Sequence, residues 1–221
     1  MERLQWTWEE SGPRIEGFPD GIRVIRLEGQ RARRLSDLDL HRADLDFTLA
    51  CLDEMQSQPH DSRLLQEALW RSSIVHFLKC FGDSAARFRL FAKDIYGAEP
   101  LETMAAFDYF KTMRNKHLVH DENSYAQSVP GAILNRGDKP FKIEKILCFS
   151  ITMPTLDAAN YDNLRRLVYR ARDWVVEEFD RLSDLLAAEL EEQPYDALLE
   201  RDALTFRVPT PDDVGENRTQ R

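Results

Sequence analysis

A mainly α fold, a helical bundle carrying a small N-terminal β arm and an inserted β-hairpin, is what the sequence predicts. Three observations carry it. Gly and Pro are sparse, 9 and 10 in 221 residues, while Leu, Ala, Glu and Arg are abundant, which favours helices over a sandwich or barrel. Long stretches repeat apolar residues at helical intervals. Between the last two of them the period switches from helix to strand.

Residues 1–35 differ from the rest of the chain. Trp6 and Trp8 alternate with polar residues, and Ile22, Val24 and Leu27 do so between a Gly17 to Gly21 turn cluster and Gly29, the pattern of short strands. This β arm ends in a basic stretch of Arg23, Arg26, Arg31, Arg33 and Arg34, whose ordinary reading is a solvated face. Ser36 and Asp39 have capping-box spacing, and Leu38, Leu45, Leu49 and Leu52 then mark a first helix over about 37–57. Asp61 or Ser62 opens a second, whose wide apolar arc from Leu64 to Phe81 predicts a central position. A shorter helical piece is expected over 84–96. Pro100 then starts a helix with Met104, Phe107, Phe110 and Met113 on one face, running into Arg-Asn-Lys-His-Leu-Val-His. Ala132 to Leu134, the turn at 135–138, and Phe141, Ile143, Leu147, Phe149 and Ile151 at alternate positions describe a hairpin at about 131–152, interrupted at Lys145. Thr155 caps a final helix with Leu164, Leu167, Val168, Ala171, Trp174, Val175 and Leu182 on one face, reaching toward Gln193. The organisation is thus a β arm (1–35), a helical domain (36–194) and a polar, flexible tail (195–221).

The composition, 43% hydrophobic and 31% charged, fits one folded domain. A net charge of −9 excludes a broadly cationic nucleic-acid coat, but the charge is uneven. Between Glu177 and Asp202 ten acidic residues face only Arg181 and Arg201, a local −8, so the remainder is nearly neutral. Cys51, Cys80 and Cys148 are odd in number, far apart and set in apolar segments. They read as core residues in a reducing, cytoplasmic setting, not as a disulfide frame. No Cys/His spacing predicts a metal, and no apolar run approaches a membrane span.

His41 and His60 lie in polar surroundings near helix beginnings, and His76 sits among apolar neighbours as a core histidine would. His117 and His120 differ. They belong to Met113-Arg114-Asn115-Lys116-His117-Leu118-Val119-His120-Asp121-Glu122-Asn123, which gathers cationic, amide and imidazole groups at the end of an apolar-faced helix. Arg114 followed by Asn115, with five residues between Arg114 and His120, resembles the motif of the HEPN superfamily, and the phrase is most similar to its abortive-infection branch. The resemblance spans residues 36–194 in architecture but about seven residues in sequence. It implies a HEPN-like helical bundle acting as a metal-independent RNA endonuclease, without cofactor, in a toxin–antitoxin or antiviral defence setting. It also implies a homodimer whose two motifs face a shared cleft, with an antitoxin or other defence protein as a candidate partner.

The chemistry of those residues suits RNA cleavage. Attack of a ribose 2′-hydroxyl on the adjacent phosphate needs a proton carrier near neutral pH and a cation for the charge that develops. His120 fits the first role and Arg114 the second, with Asn115 able to hold the phosphate. The family's products are a 2′,3′-cyclic phosphate and a 5′-hydroxyl. On a regular helix, however, residues six apart are turned by about 240°, so Arg114 and His120 would diverge within one chain. His117 is therefore a rival to His120. Otherwise the helix loosens before His120, or two chains share a site. Lys111 and Lys116, with Arg166 and Arg170 one turn apart on the last helix, are candidate phosphate contacts. The plainer alternative is that Arg114 pairs with Asp108 or Asp121 and the motif is structural, in a non-catalytic module that binds a nucleotide, RNA or a protein. In family toxins silenced by nucleotide transfer, a Tyr follows the motif His by two residues. Here that position is Glu122, the nearest Tyr being Tyr125.

Overall fold

The structure is a computed structural model and describes residues 6–9, 12–57, 62–205 and 208–216. The expected mainly helical chain is what it contains. In order run β1 (Trp6–Glu9), β2 (Gly12–Ile15), α1 (Gln30–Ser57), α2 (Arg63–Lys79), α3 (Ala92–Tyr96) and α4 (Leu101–Met113). A π-helical segment (Arg114–Val119) comes next, then β3 (Ala126–Leu134), β4 (Ile143–Thr152), α5 (Ala158–Glu191), α6 (Tyr195–Leu199) and a 3-10 turn (Pro211–Gly215). The strands form two antiparallel pairs, β1 with β2 and β3 with β4.

The chain divides into two units, with the boundaries falling inside α1 and α5. The first comprises residues up to 44, 82–90 and from 171 onward. In it α1 begins earlier than the sequence suggested, directly after Gly29, whose φ of +94° is a conformation other residues rarely adopt. Ser36 and Asp39 are therefore interior to the helix and cap nothing. Instead of a helix from 84, the chain at 82–91 is irregular, because its polar groups turn to α1. The Phe88 amide donates to Asp37 (3.1 Å), its carbonyl meets His41 Nε2 (2.8 Å), and Arg87 pairs with Asp44 (2.8 Å). His41 is thus not near a polar helix beginning but fully buried in mid-helix. Burial lowers its pKa to about 4 against the opposing pull of the Phe88 carbonyl. His60 lies outside the described residues, as does Asp61.

Basic arm and acidic stretch meet here. Arg23 donates to the carbonyls of Leu199 and Arg201, both at 2.7 Å, and Arg31 pairs with Glu189. Ile25 bridges Ala203, flanked by the Arg26 amide on the Asp202 carbonyl and the Leu204 amide on that of Val24. Residues 22–27 consequently make a single bridge, not the strand expected, and the first part of the expected flexible tail holds α6 and the bridge partner.

The second unit comprises residues 45–81 and 91–170. Its centre is a cluster of aromatic rings from α2, the turn after it, α3 and α4: Phe77, Phe81, Tyr96 and Phe107, with centroids 4.8–6.3 Å apart. Trp70 and Tyr96 are buried with their polar ends satisfied, Trp70 Nε1 on Thr155 Oγ1 (3.0 Å) and the Tyr96 hydroxyl on the Leu167 carbonyl (2.8 Å). The Tyr161 hydroxyl reaches the Leu52 carbonyl (2.9 Å), joining α5 to α1. The apolar arc of α2 is narrower than its sequence implied, since Leu64 and Val75 are exposed. Thr155, spent on Trp70, does not cap α5. Asp157 does, its carboxylate accepting the Asn160 amide at 2.8 Å.

Candidate functional site

The apolar stripe of α4, Phe107, Phe110 and Met113, is buried, and His117 extends it four residues on, with 7% of its surface exposed. That stripe anchors the helix on α2. Beyond Met113 the hydrogen-bond pattern widens from i−4 to i−5, and this π-helical segment covers Arg114 to Val119, the heart of the motif. The helix stops at His120. Asp121 then takes φ +48°, and the amides of Glu122 (2.6 Å) and Asn123 (3.2 Å) both close onto the Lys116 carbonyl.

The motif residues separate into three groups. Arg114, half-buried, donates from Nη1 to Asn115 Oδ1 at 2.8 Å and bonds neither Asp108 nor Asp121. His117 is buried with its ring edge-on to Tyr125, centroids 5.4 Å apart. His120 is exposed beside the ion pair of Lys116 and Glu122 (2.5 Å). The Lys116 hydrogen bond and charge, with a smaller pull from His120, hold the Glu122 carboxyl below the usual carboxylate range. Two nitrogens of the motif, Arg114 Nε and His117 Nδ1, are buried without a hydrogen-bond partner. Such groups cost stability and call for an explanation beyond packing.

Residue patterning did not reveal the groups around Tyr125, the ring partner of His117. Tyr109 of α4 accepts a hydrogen bond from Asn160 Nδ2 (3.3 Å) and lies close enough to Tyr125 for the two hydroxyls to interact. Burial raises the Tyr109 pKa, the Asn160 bond offsets part of this, and Tyr125 adds to the rise. Tyr109, Tyr125 and Asn160 come from three separate stretches, so no spacing rule unites them.

The proposed phosphate contacts have mixed settings. Lys111 and Arg166 are exposed. Lys116 is neutralised by Glu122 and Arg170 by Glu99 (3.0 Å), so the second and fourth charges are already answered within the chain. Arg166 and Arg170 lie about 9 and 15 Å along α5 from Asn160. Cys51 and Cys80 are buried as expected, whereas Cys148 is exposed on β4 and belongs to no core. Among the described residues no group of three or more His, Cys, Asp or Glu side chains is placed to hold a metal ion, and no helix is long and apolar enough to cross a membrane. Compared with protein-family models, curated proteins and solved structures, the chain matches none.

Proposed function

We propose that the chain is a HEPN-type, metal-independent RNA endonuclease of a prokaryotic toxin or phage-defence system, cleaving by 2′-hydroxyl attack to a 2′,3′-cyclic phosphate. The observation that carries this reading is the π-helical segment from Arg114 to Val119. A regular α-helix turns Arg114 and His120 apart, and the motif sits where the helix loosens and ends. Local departures of this type are frequent at functional sites. The partnerless Arg114 Nε and His117 Nδ1 accord with it, since functional sites are among the places where unsatisfied groups are expected, although His41 Nδ1, outside the motif, is unsatisfied as well. In this reading Arg114 stabilises the developing phosphate charge, Asn115 orients its guanidinium, and exposed His120 moves the proton. His117, oriented by Tyr125, is the rival. The substrate is RNA, the setting cytoplasmic, and two copies share the site, with an antitoxin or defence protein as regulator.

The second reading, a non-catalytic HEPN-like module for a nucleotide, RNA or a protein, draws on a specific observation too. The pairs Lys116–Glu122 and Arg170–Glu99 cancel half of the candidate phosphate track. The two are separated by incubating the protein with mixed RNAs in chelator. The nuclease reading expects cyclic-phosphate ends, with rates lowered by about 100-fold or more in Arg114→Ala and His120→Ala. Uncut RNA, or cleavage indifferent to both substitutions, rejects it. Loss in His117→Ala with His120→Ala unharmed transfers the proton role to His117.

A further inference from the structure

The β3–β4 hairpin is far more apolar than a solvent-facing element should be, and the sorting of its side chains changes along its length. At the root, the pairing of Val129 with Phe149 and of Gln127 with Ile151 sets an apolar face, with Phe149 and Ile151 69% and 70% exposed. The opposite face there is polar. Ser128 and Ser150 pair across it and share a hydrogen bond of 3.1 Å, and Thr152 follows them on the same side. Toward the turn this distinction is lost. Ile133 stays on the first face, but Ile146, paired with Ala132, and Leu134, paired with Ile143, fall on the second, and Ile146 and Leu134 are each 73% exposed. The distal end is therefore apolar on both sides, and exposed Phe141 in the turn adds to it.

Charge is sorted toward the same end. Residues 135–145 carry Arg136, Lys139, Lys142 and Lys145 against Asp138 and Glu144, a local +2 in a chain whose net charge is −9. All four cations are exposed, and among the described residues none is in an ion pair, whereas Lys116, Arg165 and Arg170 are each answered by a carboxylate. A folded partner docked on one face, or a strand paired along one edge, would leave either Ile146 and Leu134 or Phe149 and Ile151 in water. Single-stranded RNA would meet the cations, but it gains chiefly by stacking on aromatic rings, and the exposed side chains at this end are mostly aliphatic. A fluid, anionic lipid surface fits both patterns, because it closes around an inserted end and its phosphates take the cations.

We propose that the hairpin inserts its distal end, residues 133–146, into the headgroup layer of an anionic lipid bilayer. It lies obliquely, the Val129–Phe149 face toward the lipid and the Ser128–Ser150 face toward water. The open edges limit the depth. Backbone groups along the outer edges of a two-stranded hairpin find no partner in hydrocarbon, so the end stops where water and phosphates still supply them. There Leu134 and Phe141 reach the acyl-chain boundary, while the long stems of Arg136, Lys139 and Lys142 carry their charges back to the phosphates. Such binding is peripheral and needs no helix that crosses the membrane. It goes beyond the ribonuclease reading, which is judged by RNA cleavage and not by lipid binding.

The test is flotation of the full chain with vesicles. The expected result is binding to phosphatidylglycerol and phosphatidylcholine in equal parts, much weaker binding to phosphatidylcholine alone, and weakening by salt. Two double variants, both at exposed positions, separate the contributions. Lys139→Glu with Lys142→Glu reverses the attraction, Leu134→Ser with Ile146→Ser removes inserted surface, and each pair should lower vesicle affinity about tenfold or more. Ser128→Ala, on the face left in water, should not change it. A chain that stays behind when the mixed vesicles float overturns the proposal. So does binding that the serine pair leaves untouched, which would be adsorption by charge alone, or binding that neither pair weakens, which would place the contact elsewhere. A chain that ignores these vesicles but holds RNA through the lysine pair assigns the hairpin end to RNA and overturns it equally.

Discussion

His41 shows how one buried side chain sets the acid limit of the fold. Its imidazole is fully buried and bonded to the Phe88 carbonyl, and its pKa falls from 6.5 to about 4 on folding. The unfolded chain therefore binds a proton at a pH where the folded chain refuses it. His41 contributes nothing to the pH dependence above about 7, and its penalty grows as pH drops from 6.5 toward 4, reaching on the order of 3 kcal/mol. Urea titrations across this range should show that decline in the wild type and a flatter profile in His41→Gln, which keeps a donor but cannot titrate. Equal slopes would remove His41 from the account. Its burial was not legible locally, because Asp39, Arg42 and Asp44 surround it in sequence and the group that buries it comes from 88. The motif residues were legible for a different reason. Arg114, Asn115, His117 and His120 are close in sequence, so their chemistry was visible without the fold, whereas Tyr109 and Asn160 approach Tyr125, the ring partner of His117, only through the fold.

At the scale of elements, α2, α4, α5 and the hairpin could be read from periodicity because each buries one stripe or alternates along its length. The errors arose where a polar side chain found a distant partner. Thr155 has the chemistry of a cap but serves Trp70, which leaves the cap to Asp157. Residues 84–91 have helical composition but turn their polar groups to α1. The π-helical segment left no mark on the apolar spacing, since Phe110, Met113 and His117 keep intervals of three and four, which an ordinary helix also shows; only the divergence of Arg114 and His120 on a regular helix hinted at loosening. The helix end behind it makes a checkable demand. Asp121 sits at φ +48°, tolerable for Asp but strained for a β-branched residue. Asp121→Val is expected to lose about 1–2 kcal/mol, and Asp121→Gly little or nothing. Calorimetric Tm values of the two variants compare them directly, and equal losses would mean that this turn is not held in the left-handed form.

For the molecule as a whole, the uneven charge acquires a structural meaning. The acidic stretch near the C-terminal end and the arginines of the arm, remote in sequence, meet within the first unit through Arg23, Arg31 and the Ile25–Ala203 bridge. Removing residues 194–221 takes away the carbonyls that hold Arg23 and the partner of Ile25. Limited proteolysis within 20–29 should then accelerate several-fold, the increase expected when backbone pairing that closes a segment is lost. Unchanged cleavage would show that the arm stands without them. The π-helical segment, too, acts beyond its own six residues. A turn closed at i−5 is an α-turn with one residue added, so the motif carries the geometric trace of a single-residue insertion. Deleting one residue there would let α4 continue as a regular helix, but everything after it would swing by about 100° around the helix axis. His120 and the root of the hairpin would swing with it. The widened turn is what sets the compass bearing at which the chain leaves α4.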